Sequence, residues 1–284
     1  MYPASFEYLV PSSLQEAISL LGQHGDDAKL LAGGHSLIPA MKLRLQEPKY
    51  LVDISRLPDM RGIREQGGQL VIGALTLHAD VATSDVVRRG VPGLAEAAER
   101  IGDVQVRNRG TIGGSVAHAD PNADYPVILL ALNASFVLTG PNGSRTVAAD
   151  DFFVDLFTTT LDPSEVVTEV HVPGAAGSAY AKFPHPASGY LVVSCGALLT
   201  KDASGNCASA RVAVGGLAGK PVRATTVESA LAGKPLNADT IAAASAHAAD
   251  GTDPDDDLFA PAIYKRHIAS VYTRQALESA AARL

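Results

Sequence analysis

The chain has 284 residues, enough for a sizeable core and for more than one folding unit. Hydrophobic residues make up 46% and charged residues 19%, which excludes a disordered chain. The formal net charge of −7 excludes the basic footprint of a nucleic-acid binder.

In chain order, the punctuation suggests three segments. The first, residues 1–54, opens on MYPASFEYLV, which has neither the charged start nor the long apolar centre of a secretory signal. SSLQEAISLLGQHG predicts a helix capped by Ser12 or Ser13 and ended by Gly22 or Gly25. AKLLAG reads as a strand, SLIPAMKLRL as a helix with Pro39 near its first turn, and YLVDI as a second strand. Strand, helix and strand make a small α/β unit.

The second segment, residues 55–173, begins with GGQLVIGALT, read as a strand pair with a glycine turn. A helical stretch broken near Pro92 follows, then DVQVRNRGTIGGSVAHADPNADYP, read as irregular. PVILLALNA predicts a helix, SFVLTGPNGSRTVAADDF a hairpin turning at Pro141-Asn142-Gly143, and EVVTEVHVP a closing strand. The third segment, residues 174–284, has strand character in YLVVSCGALLT and ARVAVGGLAGKPVRA and is otherwise alanine-rich and helical.

No apolar run is long enough to span a bilayer. Cys195 and Cys207 are the only cysteines, too few for a four-thiolate metal or iron–sulfur site. Cys195 reads as a small buried strand residue. Reduced thiols make the cytoplasm the expected compartment.

The chemistry concentrates in two glycine turns. In DAKLLAGGHSL an apolar strand stops at Gly33-Gly34 and resumes after His35-Ser36. A sharp strand-to-helix turn exposes backbone N–H groups that can hold a phosphate, and glycine lets a diphosphate approach. The spacing is not G-x-G-x-x-G, so a standard Rossmann site is not supported. The second turn, Gly110-Thr111-Ile112-Gly113-Gly114-Ser115, precedes His118, Asp120, Asn122 and Asp124. Two such turns in different units suggest one extended ligand between them, for which a dinucleotide has the parts. Asp120 could instead form a turn ahead of Pro121, and Asp124 could be an ordinary helix N-cap.

At these residues the chain resembles the FAD-binding medium subunits of the molybdenum hydroxylases, most closely the aerobic carbon monoxide dehydrogenase type. The resemblance extends over essentially the whole chain, including FEYLVPSSLQEAISLL, VIGALTLHADV and YKRHIASVYTRQAL. It implies an α+β protein with an α/β N-terminal part. Two subdomains of PCMH-type FAD-binding fold are followed by a C-terminal α+β domain of the CO-dehydrogenase flavoprotein type.

The implied cofactor is non-covalent FAD. Ala32, Gly33, Gly34, His35 and Ser36 match the first flavin motif, with Lys29, Leu31 and Leu37 beside it. Gly110, Thr111, Ile112, Gly113, Gly114 and Ser115 match the second. Asp124 matches an aspartate that bonds ribose or ribityl hydroxyls, and Ile101, Val167 and Lys182 match further flavin contacts. Lys182 would stabilise negative charge on the reduced cofactor, or be a plain surface lysine. Tyr190 would cover one face of the ring system, or be a core strand aromatic.

The implied role is electron transfer, with no catalytic residue in this chain. Partners are a large subunit with the molybdenum cofactor and a small subunit with [2Fe–2S] clusters, in a dimer of heterotrimers. The complex would be cytoplasmic, with association at the inner face of the membrane left open. Medium subunits of aldehyde, nicotine or other N-heterocycle dehydrogenases are the alternative reading. A standalone flavin oxidoreductase would instead need a base such as His118 or His185. A scaffold with degenerate flavin motifs would bind no flavin.

Overall fold

The computed structural model describes residues 1–284. Its N-terminal unit runs β1 (Glu7–Leu9), α1 (Leu14–His24), β2 (Ala28–Leu31), α2 (Leu37–Lys42) and β3 (Tyr50–Asp53). The strands form a parallel sheet of order β1-β3-β2, in which α1 joins the two outer strands and α2 is the crossover from β2 to its neighbour β3. Both candidate cap serines are used. Ser13 accepts the Glu16 amide at 3.1 Å, while the Ser12 amide and hydroxyl donate to the Glu16 carboxylate. Gly25 closes α1 at φ 54°. The sequence reading missed β1, which is too short and too exposed to show a period.

The second unit contains β4 (Ile63–Gln66), β5 (Gln69–Gly73), α3 (His78–Thr83), α4 (Asp85–Gly90), α5 (Pro92–Glu99), α6 (Val104–Arg107), α7 (Ile112–His118) and α8 (Asp124–Ala131). It continues through β6 (Ser135–Gly140), β7 (Gly143–Ala148), α9 (Ala149–Phe152), β8 (Phe153–Asp155), β9 (Thr158–Thr159) and β10 (Val166–Pro173). Its main sheet is antiparallel, in the order β4-β5-β10-β6-β7. Gly67 and Gly68 do make a turn, but β4 lies upstream of it, outside the stretch read as a strand pair. The segment read as irregular instead carries α6 and α7. Asp103 caps α6 and Thr111 caps α7, so side chains before each helix start it despite the glycines.

The last unit contains β11 (Ser178–Pro184), β12 (Leu191–Lys201), β13 (Cys207–Gly215), β14 (Val222–Arg223), α10 (Thr225–Leu231), α11 (Ala238–Ser245) and α12 (Ala262–Ala281). The four strands pair antiparallel in chain order. Strand β12 is covered on both faces. Gly196 lies against Ile128 and Ala131 of α8, while Cys195 and Ala197 join the core that includes α12 residues. That double burial explains its unbroken apolar run and a Cys195 thiol pushed up to about 12. Helix α8 is buried along its whole length, which accounts for its having no polar face. One hydrophobic core spans the first two units and takes in Tyr180, Leu191 and Ala213 from the last sheet; a second lies within the C-terminal unit.

Candidate functional site

The first glycine turn follows β2 at the carboxyl end of the parallel sheet, where open α/β sheets receive ligands. Gly34 has φ +78°, a conformation glycine reaches without strain. The amides of Gly33, Gly34, His35, Ser36 and Leu37 donate to no protein acceptor. Such a run of consecutive free donors is a concavity for an anion. His35 is exposed, and Gly33, Gly34, Ser36 and Leu37 are half-buried. Lys29 is exposed on β2, while Leu31 and Ala32 are half-buried.

The second turn is wired differently. Thr111 Oγ1 accepts the Gly114 amide at 3.2 Å. The Ile112 amide goes to the Thr76 carbonyl at 3.1 Å and the Gly113 amide to the Ala74 carbonyl at 2.8 Å. The first-turn donors of α7 are therefore already satisfied by protein. A Cβ on Gly113 would sit 2.8 Å from Ala74 Cα, and one on Gly110 would sit 2.7 Å from His78 Cδ2. Gly110 and Gly113 are close-approach glycines.

The two turns touch. A Cβ on Gly33 would lie 2.7 Å from Gly110 Cα and collide with the Arg109 carbonyl. Gly33 therefore makes room for the second turn, a correction to the expectation that its missing side chain makes room for a diphosphate. Gly114 is exposed; its missing Cβ would meet the Thr111 hydroxyl and lie 4.0 Å from Ala32 Cβ, so the motifs face each other there. Thr111 and Ile112 are buried, and Ser115 is half-buried. His78, 5% exposed, supports the turn from below. Burial pushes its imidazole down to about 3, so it is neutral.

The loop 185–190 closes a third side. It is pinned by the His185 amide to the Tyr190 carbonyl at 2.7 Å and by the Leu191 amide to the Asn122 carbonyl at 3.2 Å. Gly189 lies against Gly102. Tyr190 is 42% exposed, ahead of β12, and its hydroxyl lies beside Ser36. It is not a core strand aromatic. Burial and then the Asp120 carboxylate push its phenol up.

Asp124 and Lys182 are buried behind this loop, at 4% and 2% exposure. Lys182 Nζ lies 2.8 Å from Asp124 Oδ1 and 2.9 Å from Oδ2, and donates to the Arg100 carbonyl at 3.0 Å. The Tyr180 hydroxyl donates to Asp124 Oδ1 at 2.7 Å. Burial pushes the Asp124 carboxyl up, and the Lys182 ammonium opposes that shift. Lys182 is thus no surface lysine. Asp124 is the first residue of α8, whose N-cap position belongs to Ala123, so the plain N-cap alternative fails. Tyr180 was missed by sequence reasoning; the signal was its i, i+2 spacing from Lys182 on β11.

The remaining expected residues lie at the margins. Ile101 is half-buried, with its carbonyl taken by Arg107 at 3.0 Å. Val167 is buried in β10 beside a register shift. Asp120 does form a turn, accepting the Asn122 amide at 2.9 Å. The rings of His118 and His185 pack near Phe157 and Phe259.

Residues 4–175 match the model of the FAD binding domain in molybdopterin dehydrogenase, and residues 178–280 that of the CO dehydrogenase flavoprotein C-terminal domain. The chain belongs to this FAD-binding family of the molybdopterin dehydrogenases. It is an oxidoreductase subunit of the molybdenum hydroxylase group. Among its relatives, the carbon monoxide dehydrogenase medium chain of Hydrogenophaga pseudoflava is 45% identical, over 100% of this chain and 99% of that one. The 6-hydroxypseudooxynicotine dehydrogenase complex subunit alpha of Paenarthrobacter nicotinovorans is 37% identical, over 99% of this chain and 96% of that one. A solved structure of the Hydrogenophaga pseudoflava carbon monoxide dehydrogenase superposes with a TM-score of 0.95, covering 100% of this chain and 99% of that one. FAD fits the residues present: free amides for a diphosphate, an exposed glycine facing them, and a half-exposed aromatic beside them.

Proposed function

We propose that this chain is the FAD-carrying medium subunit of an aerobic, molybdenum-dependent carbon monoxide dehydrogenase. The observation that carries the reading is the run of free amides from Gly33 to Leu37, facing the second turn in a chain of this family. Bound FAD supplies one- and two-electron redox chemistry. The chain's residues bind, orient and shield it. The amides of Gly33–Leu37 would hold the diphosphate, with the Ser36 hydroxyl beside them. Thr111–Ser115 would form the opposite wall, rigid because its own donors are satisfied. Tyr190 would cover the ring system and limit solvent access. Lys182 would place a positive charge near it.

The chain's role is to pass electrons from the iron–sulfur clusters of a small subunit to an external acceptor. A large subunit would hold the molybdenum cofactor and oxidise the substrate, in a dimer of heterotrimers. No helix is long and apolar enough to cross a membrane; the proposed location is the cytoplasm, with any membrane association made through the complex. The full-length likeness to a hydroxypseudooxynicotine dehydrogenase subunit supports a second reading, in which the complex oxidises an N-heterocycle or an aldehyde.

The test is purification of the native complex, with subunit masses, flavin, iron and molybdenum measured on one sample and turnover assayed with carbon monoxide, aldehydes and N-heterocycles. Large and small partners, one FAD per medium chain and carbon monoxide oxidation are expected. A lone flavoprotein that turns over substrate without metal overturns the relay.

A further inference from the structure

The short helix α6 stands between the second glycine turn and the loop 185–190. At its C-terminal end the Val106 carbonyl accepts the amides of Arg109 at 3.1 Å and Gly110 at 2.8 Å. At its N-terminal end Asp103 accepts the amides of Gln105 at 2.8 Å and Val106 at 2.9 Å. Ile101 and Gly102 lie on the stretch that joins α5 to α6. Arg107, half-buried, reaches back over them. Its Nη1 donates to the Ile101 carbonyl at 3.0 Å and to the Gly102 carbonyl at 3.2 Å. Both acceptors are main chain, so what this guanidinium fixes is the path of the backbone.

Gly102 in turn is the seat of Gly189. A Cβ on Gly189 would lie 3.6 Å from Gly102 Cα, and one on Gly102 would meet the Val106 side chain at 2.9 Å. Backbone therefore rests on backbone. The next residue is Tyr190, whose hydroxyl lies beside Ser36 in the first turn. Gly33 of that turn packs on Gly110. The contacts close a ring around the mouth of the site: from the second turn through α6 to the loop 185–190, and from Tyr190 back through the first turn.

We propose that Arg107 is a positioning residue for the flavin site: by fixing the Ile101–Gly102 backbone it sets where Gly189 rests, and so where the Tyr190 ring stands against the first turn. The inference rests on the FAD reading above. A planar guanidinium can serve two neighbouring carbonyls at once, whereas the ammonium of a lysine is a point donor on a flexible stem. Gly102, at φ +48°, has no side chain of its own to hold it. Without the guanidinium its carbonyl turns to water and the seat loosens.

The experiment combines amide hydrogen exchange on the free full-length chain with calorimetric titration of FAD, wild type against variants. The amides of Gly189 and Leu191 donate to the carbonyls of His185 and Asn122, so they report on the loop. Arg107→Met is expected to speed their exchange and to weaken FAD binding, each about tenfold, the equivalent of one charge-assisted hydrogen bond. Exchange at Ile112 and Gly113 should stay as in wild type. Arg107→Lys should fall between the two. Tyr190→Ala weakens FAD binding by itself, and adding Arg107→Met to it should weaken binding no further, because the arginine acts through that ring. Gly189→Ala disturbs the same seat from the other side and reads the same loop should Arg107→Met fail to fold.

Loop exchange equal to wild type in Arg107→Met overturns the inference, whatever happens to the melting temperature. So do additive losses of affinity in the double variant, or weakened FAD binding with an undisturbed loop. Wild-type protein that takes up no flavin overturns the FAD reading itself. The exchange readout needs no flavin and still decides whether Arg107 holds the loop.

Discussion

The two glycine turns have nearly the same letters and opposite internal wiring. Around Gly33-Gly34 the backbone leaves a row of amides without partners. Around Gly113-Gly114 the equivalent donors are spent on the Thr111 hydroxyl and on carbonyls that precede α3. The first turn is a binding surface, and the second is a buttress that presents one exposed glycine to it. A glycine-rich motif therefore does not by itself mean open donors. What decides is where the missing side chain points, and at Gly33, Gly110 and Gly113 it points into protein.

This contrast can be broken most sharply at Gly113. A valine there must displace the backbone at Ala74, an overpacking cost of about 3 kcal/mol or more. Thermal unfolding of the Gly113→Val protein is expected well below that of wild type, with flavin loss as a consequence. A normal melting temperature with absent flavin would make the second turn a binding surface after all.

The buttress is also expected to be the acid-sensitive half. His78 is held neutral, its pKa moved from the ordinary 6.5 to about 3. A histidine depressed in the fold takes up its proton only on unfolding. Its contribution is complete above pH 6.5 and is lost as pH falls toward 3. The loss is on the order of 2 kcal/mol by about pH 5. Melting temperatures of wild type and His78→Gln, compared at neutral and acidic pH, should converge on acidification; parallel curves would contradict the assignment.

Smaller effects sharpen the comparison. Gly34→Ala forces a side chain into φ +78°, costing about 1 kcal/mol of stability, and should weaken FAD binding disproportionately. Thr111→Ala removes the cap on Gly114, at a cost of about 1 kcal/mol. Gly114→Ala pushes the Thr111 hydroxyl off the Gly114 amide, so it should cost up to the same ~1 kcal/mol as losing the cap, while FAD affinity falls as well. Titration calorimetry and melting of these three proteins would show it; equal affinities in Gly34→Ala and Thr111→Ala would erase the difference between the turns.

Much of this was legible in the sequence because local patterns coincide with what the fold demands. The caps of α1, the glycine after it, the hairpin with Pro141 and Asn142 at its tip and the apolar run of β12 all carry their own signals. The two motifs were visible for the same reason. Helices α6 and α7 were not, since Asn108, Gly110, Gly113 and Gly114 read as breakers when the caps Asp103 and Thr111 are overlooked. The partner of Asp124 was hidden as well. Asp124 and Lys182 are 58 residues apart in sequence, and no periodicity announces a pair formed where a helix and a strand of another sheet meet.

The most direct measurement is amide hydrogen exchange, resolved to single residues in both turns, with and without FAD. The account predicts that the amides of Gly33–Leu37 exchange fast in the free chain and slow strongly on binding. Ile112, Gly113 and Gly114 should be protected already and change little. Protection gained at Ile112–Gly114 with none at Gly33–Leu37 would contradict it, and would move the diphosphate to the turn described here as the buttress.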